Sequence, residues 1–202
     1  MTRYAFVNNE ILKIFRQVDH IEFPLDILSI ISTVVRNCKY MTYQEVSNVT
    51  GNSIEEVSAL CESHSGCTHY DVINDRYLIM YNDSSANNNN EGRQRWTLGH
   101  ELGHIICNHL LMSACCKMSE NTTDMSVQTD CEAEADYFAA TLLAPFPLFK
   151  ELGVSSADDV QRTFGLSRAA AINRWERYVR WSKSHLKRAW ENDMVREYQM
   201  KK

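Results

Sequence analysis

The sequence predicts an α+β fold, mostly helical, with a small antiparallel sheet ahead of a histidine-bearing helix. Three observations predict it. Apolar residues recur at helical spacing over most of the chain, one β-rich segment stands near its middle, and polar stretches separate the blocks. A chain of 202 residues, 44% of them hydrophobic, is long enough to bury a core.

Asn9 precedes Ile11, Leu12, Ile14, Phe15 and Val18, the pattern of a capped amphipathic helix. Pro24 suits the first turn of the next helix, which continues in period from Leu25 to Arg36. Thr42-Tyr-Gln-Glu45 and Ser53-Ile-Glu-Glu56 both match a capping box, with Gly51 as the stop between them. Two short helices across a glycine suggest a helix-turn-helix. Residues 42–66 contain no Lys or Arg, however, which argues against phosphate contact and favours a structural pair.

Thr68 to Tyr81 holds two β-rich runs around Asn74-Asp75 and predicts a hairpin. Its strand Arg76 to Tyr81 is the expected edge for pairing with an extended substrate. Asn82 to Gly92 reads as a polar loop, followed by a long helix from about Arg93 to Leu111. Ser113 to Thr129 is a polar connection to a helix over Asp130 to Leu143, ended by Pro145 and Pro147. Ser155 to Phe164 and Arg168 to His185 form a last pair across Gly165-Leu-Ser167. Within it Ile172, Trp175 and Val179 face the core, while Arg168, Arg174, Arg177, Arg180 and Lys183 cover the rest.

Charge is unevenly spread. Val160 to Lys202 carries eleven Lys/Arg against four Asp/Glu, and the remainder ten against twenty-two. An acidic body makes DNA binding unfavourable, and Trp175 and Trp181 suit packing better than base readout. The basic helix is then a solvated face or a docking surface for an acidic partner. Seven cysteines, an odd number without a CxxC pair, do not suggest a disulfide framework. The start lacks the apolar stretch of a signal peptide, and the longest apolar run, Leu25 to Val35, is interrupted by Asp26, Ser29, Ser32 and Thr33. These features predict a cytoplasmic protein with no membrane association.

The chemistry concentrates in Arg95-Trp-Thr-Leu-Gly-His-Glu-Leu-Gly-His-Ile-Ile-Cys107. Residues i and i+4 of a helix share one face about 6 Å apart along the axis, so His100 and His104 can offer imidazole nitrogens to one Zn²⁺. Glu101, about 100° round the helix, can act as general base without occupying a ligand position. Shuffling this composition yields HExxH in roughly 2% of chains, so the surroundings have to decide. Gly99 and Gly103 each cost about 1 kcal/mol relative to Ala within a helix, which implies a close approach to its backbone or tight helix packing.

A catalytic zinc takes three protein ligands and an open position. Cys107 and Leu110 stand where a metzincin carries glycine and histidine, which excludes that class. His109 lies at a helical angle turned away from the pair and is expected to be partly exposed. The segment Cys131-Glu-Ala-Glu-Ala-Asp-Tyr-Phe-Ala-Ala-Thr-Leu-Leu-Ala-Pro145 supplies a better third ligand. Glu132 and Asp136 share a face at i and i+4. Glu132 can then reach the metal while Asp136 accepts the ring N–H of a ligand histidine. Glu134, roughly 200° round from Glu132, should point elsewhere.

The combination RWTLGHELGHIICNH followed by CEAEADYFAATLLAP resembles the ImmA/IrrE family of bacterial metallopeptidases, centred on residues 76 to 147. The resemblance implies a compact thermolysin-like (gluzincin) core with His100, His104 and Glu132 as zinc ligands and Glu101 as catalytic base. It also implies intracellular regulatory proteolysis, since family members cleave helix-turn-helix transcriptional repressors, often encoded beside them on phages or conjugative elements. Residues 1–67 would then form an N-terminal helical segment packed on a peptidase core of 68–150, with 151–202 as a basic helical extension. No residue clearly matches a transition-state donor; Tyr81, His109 and Tyr137 are the candidates for that role or for substrate contact. The rival function is a zinc-containing regulator that controls a repressor by binding alone.

Overall fold

The structure, a computed structural model, describes residues 3–83, 91–110, 125–184 and 188–202. Helices α1 (Tyr4–Gln17) and α2 (Ile27–Val34) lead into strand β1 (Cys38–Thr42). The short helices α3 (Tyr43–Thr50) and α4 (Ile54–Leu60) precede strands β2 (Gly66–Asp71) and β3 (Arg76–Tyr81). The long helices α5 (Glu91–Ile106) and α6 (Met125–Leu143) follow, then a 3₁₀ turn (Phe146–Leu148). Helices α7 (Ala157–Phe164), α8 (Arg168–Ser184) and α9 (Ala189–Lys201) complete the chain. Most of the Asn82–Gly92 and Ser113–Thr129 stretches lies outside the described residues, though the second is already helical from Met125.

The fold is α+β and mostly helical, as the sequence predicts, but the sheet is mixed rather than antiparallel. Strand order is β1-β3-β2, with β3 antiparallel to β2 and parallel to β1. Strand β3 is therefore bonded on both sides and cannot serve as the edge expected for Arg76 to Tyr81; the edges are β1 and β2. The start of α1 also differs. It begins at Tyr4 rather than at an Asn9 cap, and Asn8 is buried inside it, accepting a hydrogen bond from the Tyr137 hydroxyl at 2.9 Å. Both capping boxes form, on Thr42 with Glu45 and on Ser53 with Glu56, and Gly51 ends α3 in the left-handed conformation. Pro24 follows a cis peptide and stands ahead of α2, whose cap is Asp26 bonded to the Ser29 amide.

One apolar core joins α1, α2, α5, α6 and the C-terminal helices, from Val7 and Phe15 through Leu102 and Phe138 to Phe164 and Met194. A smaller one lies under α3 and α4 around Tyr43 and Val57. The C-terminal helix is fastened to the end of α1: Lys201 Nζ donates to the carbonyls of Phe15, Arg16 and Val18 at 2.7–2.8 Å. Cations at a helix C-terminus complement its exposed carbonyls.

The core face of α8 lies one residue off the predicted stripe. Ala171, Arg174 and Tyr178 are buried, whereas Ile172 is exposed. Arg174 reaches this position because its guanidinium lies 3.7 Å above the Phe146 ring and Nε donates to the Ala144 carbonyl at 2.9 Å. Burial lowers its pKa to about 9. Arg177, Arg180 and Lys183 remain on the outer face.

Helices α5 and α6 pack closely, and the glycines of α5 show why. A Cβ on Gly103 would lie 3.1 Å from the Ala135 Cα and 3.2 Å from Phe138, so the close approach comes from the neighbouring helix. On Gly99 it would meet Ala139 and Leu143 at an ordinary 3.6 Å. Gly103→Ala should cost about 1–2 kcal/mol, overpacking outweighing a helix-propensity gain of about 1 kcal/mol. Gly99→Ala should keep or raise stability. Thermal denaturation compares them, and equal shifts for the two would rule out this packing account.

Candidate metal centre

Helix α5 presents His100 and His104 on the face that meets α6, and α6 answers with Glu132. His104 Nε2 lies 3.0 Å from His100 Nε2; Glu132 brings Oε2 to 3.2 Å from the former's partner, His100 Nε2, and Oε1 to 3.6 Å from His104 Nε2. Donors bound about 2.0–2.1 Å from one tetrahedral ion stand roughly 3.3 Å from each other, so the spacing fits a single metal. Without an ion, the same two imidazole nitrogens would have to share one proton in an N–H···N bond. Burial opposes a charge on His100, yet hydrogen bonds to Asp136 and Glu132 outweigh it and raise its pKa to about 10. The two histidines hold Glu132 well below the usual carboxylate range.

Asp136 stands where the sequence places it, with Oδ1 3.0 Å from His100 Nδ1. Glu101 faces inward from the other side of α5 and is 7% exposed. Burial raises its pKa, opposed by the Thr68 hydroxyl, which donates to Oε2 at 2.6 Å, and by both histidines. Thr68 comes from β2, and Gly66 is what lets that strand approach: a Cβ there would lie 2.5 Å from Thr97 of α5. No local pattern around a single threonine in a strand marks this contact.

His109 departs most from expectation. Instead of being partly exposed and turned away, it is 3% exposed, with Nδ1 3.1 Å from His104 Nδ1. The cause is backbone: α5 stops at Ile106, and Asn108 takes a left-handed φ of 63°, which swings His109 back under the pair. An asparagine near a helix end was the available signal. Burial depresses the His109 pKa. Its Nε2 lies 3.0 Å from Oε2 of Glu134, which does point away from Glu132, into this second buried group. Burial raises the Glu134 pKa, but Arg3 and His109 overcome it and bring it to about 2.

The Tyr137 hydroxyl is bonded to Asn8 of α1, and Tyr81 ends β3 opposite Thr42 of β1 and Gly66 of β2.

A HExxH helix whose histidines meet a carboxylate of a second helix, beside a small sheet, defines a metallopeptidase. Residues 62–176, more than half of the chain, match the family model for the IrrE N-terminal-like domain of peptidase M78. The chain belongs to this family, the ImmA/IrrE metallopeptidases. No curated protein matches it. Among the described residues no helix is long and apolar enough to cross a membrane.

Proposed function

We propose that the protein is a zinc-dependent endopeptidase that cuts a regulatory protein at a specific site, its substrate being a helix-turn-helix transcriptional repressor. The observation that carries this reading is the convergence of His100, His104 and Glu132 donor atoms at one-ion spacing beside the buried Glu101. His100 and His104 would hold the ion through Nε2 and Glu132 through its carboxylate, a set that suits zinc. Bound there, zinc supplies Lewis acidity towards a peptide carbonyl and eases deprotonation of water.

The chain's own residues supply the proton handling. Thr68 engages Oε2 of Glu101, so Oε1 takes the proton of the attacking water and later delivers it to the leaving amine. Asp136 accepts the Nδ1 proton of His100, which keeps the Nε2 lone pair turned inward. Strand β2, the edge that carries Thr68, offers its open side to an extended substrate backbone. In this reading residues 68–150 are a thermolysin-like core, flanked by 1–67 and 151–202. The repressor substrate and a cytoplasmic site of action rest on the resemblance to the family.

The test incubates the zinc-loaded protein with a helix-turn-helix repressor encoded beside it and follows fragments by mass spectrometry. Two discrete fragments are expected, absent with 1,10-phenanthroline and restored by added Zn²⁺. Release of the intact repressor from its operator would instead establish control by binding alone.

A further inference from the structure

The geometry points to Arg3, Glu134 and His109 as a positioning relay for His104, through which the first residues of the chain set how tightly the ion is held. This rests on the reading of His100, His104 and Glu132 as metal ligands. His104 turns Nε2 towards His100 and Glu132, and a ligand nitrogen must offer a lone pair. The proton of His104 is then on Nδ1, 3.1 Å from Nδ1 of His109, which accepts it. His109 is therefore protonated on Nε2 and donates to Glu134 Oε2 at 3.0 Å.

Glu134 is fixed in turn by Arg3. The Arg3 backbone N–H donates to Oε1 at 2.6 Å, and the guanidinium donates to Oε2 at 2.5 Å through one terminal nitrogen and at 3.1 Å through Nε. The same terminal nitrogen donates to the Cys107 carbonyl at 2.9 Å, just past the end of α5. Every donor and acceptor along this line is matched in one direction, which leaves a single tautomer for both histidines. His109 and Glu134 are buried, whereas the Asp136 side chain that serves His100 is 59% exposed. A low-dielectric relay holds its geometry more firmly than a solvated carboxylate does.

Cys107, His109 and Glu134 also have donor atoms within 4.8 Å of one another, the arrangement of a second metal site. Arg3 argues against it. Its cation is already seated on Glu134, and both nitrogens of His109 are engaged.

The test measures Zn²⁺ affinity of the full chain by competition with a chromophoric chelator, and the visible spectrum of the Co²⁺ form. Glu134→Gln keeps the side-chain volume and should weaken Zn²⁺ binding about 10–100-fold and shift the Co²⁺ bands. Arg3→Met, the second variant should Glu134→Gln not fold, should act in the same direction. A purely structural role is separated by a double-mutant cycle. In a His109→Ala background, Glu134→Gln should cost less than about twofold, because its effect passes through His109. Parent-like affinity in folded Glu134→Gln, or losses that multiply in the double variant, would overturn the relay. His104→Ala distinguishes the underlying reading: if it keeps parent affinity, the ligand assignment fails and the relay with it; if it loses Zn²⁺ while Glu134→Gln does not, only the relay fails.

Discussion

Glu101→Gln should lower peptide hydrolysis by about 10²–10⁴-fold while leaving Zn²⁺ affinity within about twofold. The amide is nearly isosteric, and its carbonyl can still accept the Thr68 hydroxyl that now donates to Oε2 at 2.6 Å. What it lacks is a basic oxygen. The carboxylate is 7% exposed, and a buried ionised group is costly, so a neutral amide should not lower the melting temperature. The loss would therefore appear in kcat rather than in folding or metal content. Steady-state cleavage of a peptide or repressor, read beside zinc stoichiometry, checks it. A variant retaining kcat within tenfold of the parent would remove Glu101 as base.

The second large effect falls on the metal. Glu132→Ala should weaken Zn²⁺ binding by roughly 10²–10³-fold, since zinc sites carry about 10–16 kcal/mol over four ligands and each tenfold is about 1.4 kcal/mol. Glu132 closes the triangle with the two Nε2 atoms, and its loss leaves two imidazoles 3.0 Å apart with no anionic donor between helices. Melting curves give a second view of the same loss. At a free Zn²⁺ concentration 1,000 times its Kd, the parent should gain about 4 kcal/mol of stability, and the variant far less at that concentration. An equal zinc-induced shift in both proteins would exclude Glu132 as a ligand.

The parts of the site that lie on regular helices were readable from spacing. His100 and His104 share a face because α5 is regular between them, and Glu132 and Asp136 do so on α6. Gly99 and Gly103 of α5 signalled a close neighbour, and only the structure identified it as α6. Spacing misled where the helix stopped: projecting α5 through His109 ignored the left-handed turn at Asn108. Contacts between distant residues left no local trace. Arg3 meets Glu134 across 131 positions and Thr68 meets Glu101 across 33. Strand β1 was missed for a related reason. Cys38–Thr42 is a short, half-exposed segment without clean alternation, and its strand character comes from pairing Tyr40 with Ile79.

The bonds at the two ends of α1 also set a timetable. Glu134 follows Arg3 by 131 residues, about 7–26 s at ribosomal rates of 5–20 residues per second. The far end waits longer, because Lys201 lies 186 residues beyond the Phe15 carbonyl it caps. Helix α1 thus emerges well before either of its ends can be pinned. A nascent chain can hold both histidines of α5 well before the helix that underpins His104 has anything at its end to fasten it.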